Sequence, residues 1–191
     1  GRKDFDYCDV FNGVGLQMLL YLFALRECGE SVVGENPVPA GVQYFPARVP
    51  YVSLDGAEED EESERRKLWK RKGLLLMDEL VLTAMDPDEG MGRLCCTRKK
   101  DGSLSGDLAD RDQLVLLQSY IFRYLGKMVE DIASGNVEAN PYTRGSVHNA
   151  CTFCPYGAVC HKDTVPGRRN YKSVTAKEFW ERVGKELENH G

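Results

Sequence analysis

Three cysteines near the C-terminus carry the plainest chemistry in this chain. Cys151, Cys154 and Cys160 stand at C-x2-C-x5-C spacing, with Pro155 directly after the second. A tight turn brings both sulfurs of a C-x2-C to one side, so the thiolates can converge on one metal or one cluster. Cysteine-built metal sites want four ligands, and this segment supplies three. His148 and His161 flank the cysteines and are candidates to complete a zinc site. Soft thiolates suit zinc and iron–sulfur clusters alike, so the spacing does not choose between them. The competing reading is three free, partly buried thiols. A second pattern lies near the N-terminus, where Gln17 and Tyr21 stand at i,i+4 and project from one face of a helix. A glutamine amide can hydrogen-bond a phosphate or orient a carboxylate, and the tyrosine can position either. The alternative is two polar tips at the edge of a buried helix.

The charge is clustered. Glu58 to Glu64 is almost wholly acidic, and Arg65 to Lys72 carries six basic residues in eight, with Trp69 among them. Such a basic run can meet a phosphate backbone, and a tryptophan within it can stack on a base. The adjacent acids favour a self-paired, solvated helix, because Glu61–Arg65 and Glu62–Arg66 are i,i+4 pairs with the acid on the N-terminal side. Arg98, Lys99 and Lys100 at a hairpin tip are ambiguous in the same way. The whole chain, 191 residues with a formal net charge of -5, does not advertise a nucleic-acid binder by its total. Its 42% hydrophobic and 29% charged content reads as soluble and globular. No apolar stretch is long enough to span a bilayer, and the polar start, Gly1-Arg2-Lys3-Asp4, has no apolar core of a signal peptide. An odd count of seven cysteines with a C-x2-C favours metal chemistry in a reducing compartment over disulfides, so a cytoplasmic location without membrane partners is expected.

The elements that must position these residues follow from periodicity. Asn12 to Glu27 reads as a buried amphipathic helix, with Leu16, Leu19, Leu20, Phe23 and Ala24 inward and Gly29 as its stop. Gly41 to Val49 alternates as a strand. Leu74 to Met85 reads as a short helix. Arg93 to Thr97 and the turn at Lys100-Asp101-Gly102 suggest a β-hairpin. Asp110 to Ser134 is the longest helix, its stripe formed by Leu114, Leu117, Ile121, Tyr124, Leu125, Met128 and Ile132. The cysteine segment reads as loop, and Ala176 to Glu188 as a terminal helix. Cys8, Cys28, Cys95 and Cys96 read as ordinary residues.

Several catalytic signatures are absent. The sequence has no G-x4-G-K-[ST], no G-x-S-x-G, no H-E-x-x-H, and no Asp followed by a strand carrying [D/E]-x-K. What it has are ordered segments: Gly15-Leu16-Gln17-Met18-Leu19-Leu20-Tyr21, Pro39-Ala40-Gly41-Val42-Gln43-Tyr44-Phe45-Pro46, Lys72-Gly73-Leu74-Leu75-Leu76, Ala84-Met85-Asp86, Asn140-Pro141-Tyr142 and Ala150-Cys151 to Cys160. Together they resemble the RecB-like PD-(D/E)XK nuclease domain of the AddB subunits of bacterial AddAB helicase–nucleases, from about Phe5 to Tyr171.

That resemblance implies an α/β (α+β) fold of restriction-endonuclease type with a helical C-terminal extension carrying the cysteines. Gln17 and Tyr21 match the family's Q-x3-Y helix and take a supporting part at the active site. The catalytic acids and lysine are expected upstream of Gly1, so the core is expected to be truncated and the chain inactive by itself. Cys151, Cys154 and Cys160 match the trio that joins a distant fourth cysteine around a [4Fe–4S] cluster. The family further implies Mg2+, a DNA substrate, an AddA-type helicase partner, and processing of double-strand ends for recombinational repair. On this reading residues 1–50 are the end of the nuclease core, 51–108 a family-specific insert and 109–191 the long helix, cysteine loop and terminal helix. The alternatives are a zinc-stabilised module that binds nucleic acid or protein, and a Cas4-like iron–sulfur nuclease; the hairpin and acidic insert fit the AddB pattern better.

Overall fold

The computed structural model describes residues 4–47, 68–88, 90–138, 140–145, 148–160, 169–171 and 173–189, with the side chains of 148 and 170 excepted. In order these form α1 (Tyr7–Phe11), α2 (Gln17–Cys28), α3 (Glu30–Val33), β1 (Gly41–Tyr44), β2 (Lys72–Leu76), α4 (Glu79–Met85), β3 (Cys96–Arg98), β4 (Leu104–Gly106), β5 (Leu108–Ala109), α5 (Arg111–Ala133), β6 (Tyr142–Arg144), β7 (His148–Asn149), α6 (Gly157–Cys160), β8 (Arg169–Asn170) and α7 (Ala176–Glu188).

A mixed sheet organises the core. β2 lies between β1, to which it is antiparallel, and β5, to which it is parallel. Successive side chains of a strand point to opposite faces, and β2 uses both. Leu74 and Leu76 join Val42 and Ala109 against α1, α2, α5 and α7, where Leu19, Phe23, Leu117, Ile121, Phe179 and Val183 are buried. Leu75 faces the other way, into a smaller cluster with Leu82, Met91, Leu94, Cys95 and Cys96. A strand covered on both faces reads as an unbroken apolar run. That is why the Leu74 to Met85 expectation was only half right: a strand fills Lys72–Leu76, and the helix begins at Glu79 behind the Asp78 cap. Cys95 and Cys96 pack as apolar residues, as expected, and burial pushes the Cys95 thiol up to about 12.

Helix boundaries follow local chemistry. Asp110 accepts from the Gln113 N–H while the Gln113 side chain reaches back, a reciprocal cap that starts α5. Thr175 and Glu178 do the same for α7, whose bounds match the sequence reading. The α5 stripe is buried at Leu114, Leu117 and Ile121, but Met128 and Ile132 near its far end are exposed. In α2, Leu19 and Phe23 face the core; Ala24, expected inward, is exposed. Between α1 and α2 the chain turns at Gly13, whose φ of +77° is open to glycine. A Cβ there would meet the Tyr124 ring of α5. Tyr120 and Tyr124 clasp this turn, their hydroxyls donating to the carbonyls of Phe11 (2.6 Å) and Asn12 (3.0 Å). The expected hairpin forms as β3–β4. The expected ion pairs Glu61–Arg65 and Glu62–Arg66 lie outside the described residues, as does the Arg48–Val49 end of the expected strand.

Candidate functional site

Gln17 opens α2, and Tyr21 stands one turn on. The Gln17 Nε2 donates to the Tyr21 hydroxyl oxygen at 2.9 Å. Both side chains face solvent, with Tyr21 55% exposed, while Leu19 and Phe23 on the opposite side anchor the helix in the core. A phenol oxygen that accepts from an amide keeps its own proton to donate. The pair therefore presents polar groups outward from a core-anchored helix.

The cysteines lie at the other end of the chain. Asn149 Oδ1 accepts from the Cys151 N–H (2.8 Å), and the Cys154 N–H donates to the Cys151 carbonyl (3.3 Å), so the C-x2-C forms a turn. Cys160 ends the one-turn α6, its N–H donating to the Tyr156 carbonyl (2.9 Å). Cys154 and Cys160 are exposed and Cys151 half-buried; the apolar side chains between them are open to solvent too, Phe153 being 95% exposed and Val159 78%. The segment thus carries short strands and a helical turn where loop alone was expected. Thiolates are donors that suit a thiophilic metal or cluster. Among the described residues, no three Cys, His, Asp or Glu side chains gather closely enough to hold a metal ion. His161, and the side chain of His148, lie outside what is described.

What sequence reading missed is the joint between these two regions. Arg144 of β6 reaches α1, its Nη1 lying 2.9 Å from Asp6 Oδ1 and 3.6 Å from Asp9 Oδ1. It also bonds the Cys8 thiol. The Tyr142 hydroxyl donates to Asp9 Oδ1 at 2.8 Å. Asp6 is at once the N-cap of α1, accepting from the N–H groups of Cys8 (2.8 Å) and Asp9 (3.1 Å). Burial alone would raise the Asp6 carboxyl, but the Arg144 and backbone N–H bonds outweigh it and hold the group below its usual range. Burial and the Asp9 bond push the Tyr142 phenol up to about 12. The Asn140-Pro141-Tyr142 signal was visible in the sequence; the partners of Tyr142 and Arg144 were not, since they lie more than a hundred residues away.

A second missed element explains Ala84-Met85-Asp86. Asp86 is 1% exposed, and its two oxygens accept the N–H groups of Asp88 (3.3 Å) and Arg93 (3.1 Å). It is a loop clamp, leading the chain from α4 to the β3–β4 hairpin.

Helices packed against a mixed sheet agree with the expected α/β class, and comparison with known families identifies the fold further. The PD-(D/E)XK nuclease superfamily matches residues 1–161, and the chain belongs to that superfamily. Nearly all of it is also similar to one kind of member, the AddB polypeptide of the ATP-dependent helicase/deoxyribonucleases. That of Acetivibrio thermocellus is 36% identical over 197 residues, covering 98% of this chain and 17% of the relative. The counterparts in Clostridium novyi, 36% identical over 196 residues, and Oceanobacillus iheyensis, 33% over 199, align over 98% and 99% of this chain. The chain spans 17% of the length of these relatives. Among the described residues no helix is long and apolar enough to cross a membrane.

Proposed function

We propose that this chain serves as part of the nuclease domain of a helicase–nuclease that trims DNA ends in the cytoplasm for recombinational repair. An AddA-type subunit would drive unwinding with ATP. Carboxylates outside this chain would hold Mg2+ for phosphodiester hydrolysis and a lysine there would stand near the attacked phosphate, so the 191-residue chain would not cleave DNA by itself. The observation that supports this best is the bonded Gln17–Tyr21 pair, facing solvent from a core-anchored helix in a chain of the PD-(D/E)XK superfamily. Gln17 and Tyr21 act as positioning residues, orienting a catalytic carboxylate or a DNA phosphate.

Cys151, Cys154 and Cys160 would hold a [4Fe–4S] cluster together with a fourth cysteine from outside the chain. Such a cluster supplies a covalent clasp for the loop, with no step in hydrolysis. The exposure of these thiols and the turn at Cys151–Cys154 support the assignment.

The test uses the full-length polypeptide with its helicase partner. Gln17→Ala is expected to lower Mg2+-dependent cleavage about 100-fold, the scale on which a preorganised donor acts, while ATP-driven unwinding stays at the wild-type rate. Cleavage at the wild-type rate would remove Gln17 from the site. Cys151→Ala in the same complex is expected to lower bound iron and binding to DNA ends, and unchanged iron would reject the ligand assignment.

A further inference from the structure

Beyond the Gln17–Tyr21 pair, the edge of the sheet carries a second arrangement suited to DNA. β1 and β2 run antiparallel with Gln43 opposite Gly73 and Tyr44 opposite Lys72. Just past the paired residues stand Phe45 after β1 and Arg71 and Trp69 before β2. Side chains alternate along a strand, so Gln43, opposite Gly73, lies on the same face as Leu75, and Phe45, Arg71 and Trp69 gather beside it. The contacts bear this out. The Arg71 guanidinium lies 5.5 Å from the centre of the Phe45 ring, and its Nη1 donates to Gln43 Oε1 at 3.3 Å. The Phe45 and Trp69 rings are 5.4 Å apart at a tilt of 44°. Gln43 is itself steadied, its Nε2 donating to the Met85 sulfur at 3.5 Å.

This is the face that buries Leu75 in the smaller apolar cluster, but toward Phe45 the cover ends: Phe45 is 60% exposed and Trp69 half-buried. Two aromatic rings and a guanidinium are therefore fixed side by side at the surface. The chain entering β2 is cationic, with Lys70 and Lys72 flanking Arg71 in sequence and both acting on Asp107. An exposed π face beside fixed positive charge suits a ligand that offers flat rings and a negative backbone together. Bases inside a duplex hide their faces, whereas those of a single strand are free to stack.

We propose that Phe45, Trp69 and Arg71 form a stacking platform for single-stranded DNA, one or two bases lying on the rings while Arg71 meets a phosphate. This deepens the nuclease reading and rests on it: an unwound strand has to be led along the domain.

The test measures binding of the 191-residue chain, in a Trp180→Phe background that leaves Trp69 as the fluorophore, to three probes. These are an oligothymidylate, an abasic deoxyribose-phosphate strand of equal length, and a blunt duplex. Oligothymidylate is expected to quench Trp69 and to bind more tightly than the abasic strand. Phe45→Ala and Trp69→Ala, the latter followed by anisotropy of labelled DNA, are each expected to weaken oligothymidylate about 5-fold to 150-fold, the range of one base–aromatic stack. Trp69→Phe should retain most of the affinity. Phe45 is exposed and Trp69 only half-buried, and unchanged far-UV circular dichroism of the alanine variants would confirm that folding is not the cause. Equal binding of oligothymidylate and abasic strand, or full affinity in both alanine variants, would overturn the platform while leaving DNA binding intact. Failure of all three probes to bind would overturn the platform and count against the nuclease reading as well.

Discussion

Replacing Arg144 by methionine keeps the length and apolar volume of its stem and removes the guanidinium that joins β6 to α1. The wild-type side chain is 17% exposed, against 36% for Asp6 and 24% for Asp9. Exposed ion pairs contribute about 0–1 kcal/mol, and breaking a fully buried one costs about 3–5 kcal/mol. A pair lying between these limits, with one bond of 2.9 Å, should cost about 2 kcal/mol when broken. The loss stays below the buried limit because Asp6 is not orphaned: it continues to accept the N–H groups of Cys8 and Asp9. Asp6→Asn should cost less, since the amide oxygen can still cap α1. In a double-mutant cycle the two changes should be coupled by about 1 kcal/mol, because each removes one charge of the same ion pair. Urea unfolding of the 191-residue chain reads this directly, as a lower midpoint at constant slope. Hydrogen exchange locates it, with faster exchange expected at the Tyr171 amide, which donates to the Thr143 carbonyl beside Arg144. A stability within about 0.5 kcal/mol of wild type for Arg144→Met, or coupling no larger than the error of additivity, would refute the claim that this contact fastens the cysteine segment to α1.

Two further outcomes follow from the same packing. Gly13→Ala should lower stability by about 2–3 kcal/mol: it places a side chain in left-handed backbone, a cost of about 1–2 kcal/mol, and drives its Cβ into the Tyr124 ring. A thermal midpoint equal to wild type would show that the turn relaxes freely. The acid response should have opposite signs at two carboxylates. Asp6, held below its usual value of 3.8, contributes stability that is present above that pH and lost as pH falls through its lowered folded value. Asp107 is raised by burial, against the pull of Lys72, its bond with Tyr7 and Lys70. Its contribution is present below the unfolded value and lost as pH rises through the raised folded one. Asp107→Asn should therefore preserve or increase stability at neutral pH, while Asp6→Asn should flatten the acid limb of the stability curve; urea midpoints across the acid range check both, and the reverse pattern would reject the assignment.

Much of this architecture was legible because its signals are local. The bounds of α7 and the start of α5 follow from capping pairs three residues apart, and the hairpin from Lys100-Asp101-Gly102. The β2 strand was misread for a reason that lies outside its own sequence. Lys72-Gly73-Leu74-Leu75-Leu76 has no polar alternation because helices cover one face and the β3–β4 cluster the other. The exposed end of the α5 stripe is the converse: Met128 and Ile132 keep a helical spacing where no described neighbour covers them. At the candidate site the division is sharper still. An i,i+4 pair such as Gln17 and Tyr21 can be read from spacing, because the helix itself brings the two together. Tyr142 and Arg144 meet Asp9 and Asp6 across 133 and 138 positions, a contact that exists only once α1 has been seated by Tyr120 and Tyr124. The same difference governs Phe45, Trp69 and Arg71. In sequence, Trp69 was one ring in a basic run and Phe45 one residue of the strand expected over Gly41 to Val49; the antiparallel pairing of β1 and β2 is what brings the segments that carry them together. Charge counting assigned the basic run to a self-paired helix, and its last residues belong instead to the approach of a strand, where Arg71 meets Gln43 and Phe45 while Lys70 and Lys72 act on Asp107. A charge run in this chain is thus not one surface, and variants of Lys70 and Arg71 should not be treated as interchangeable.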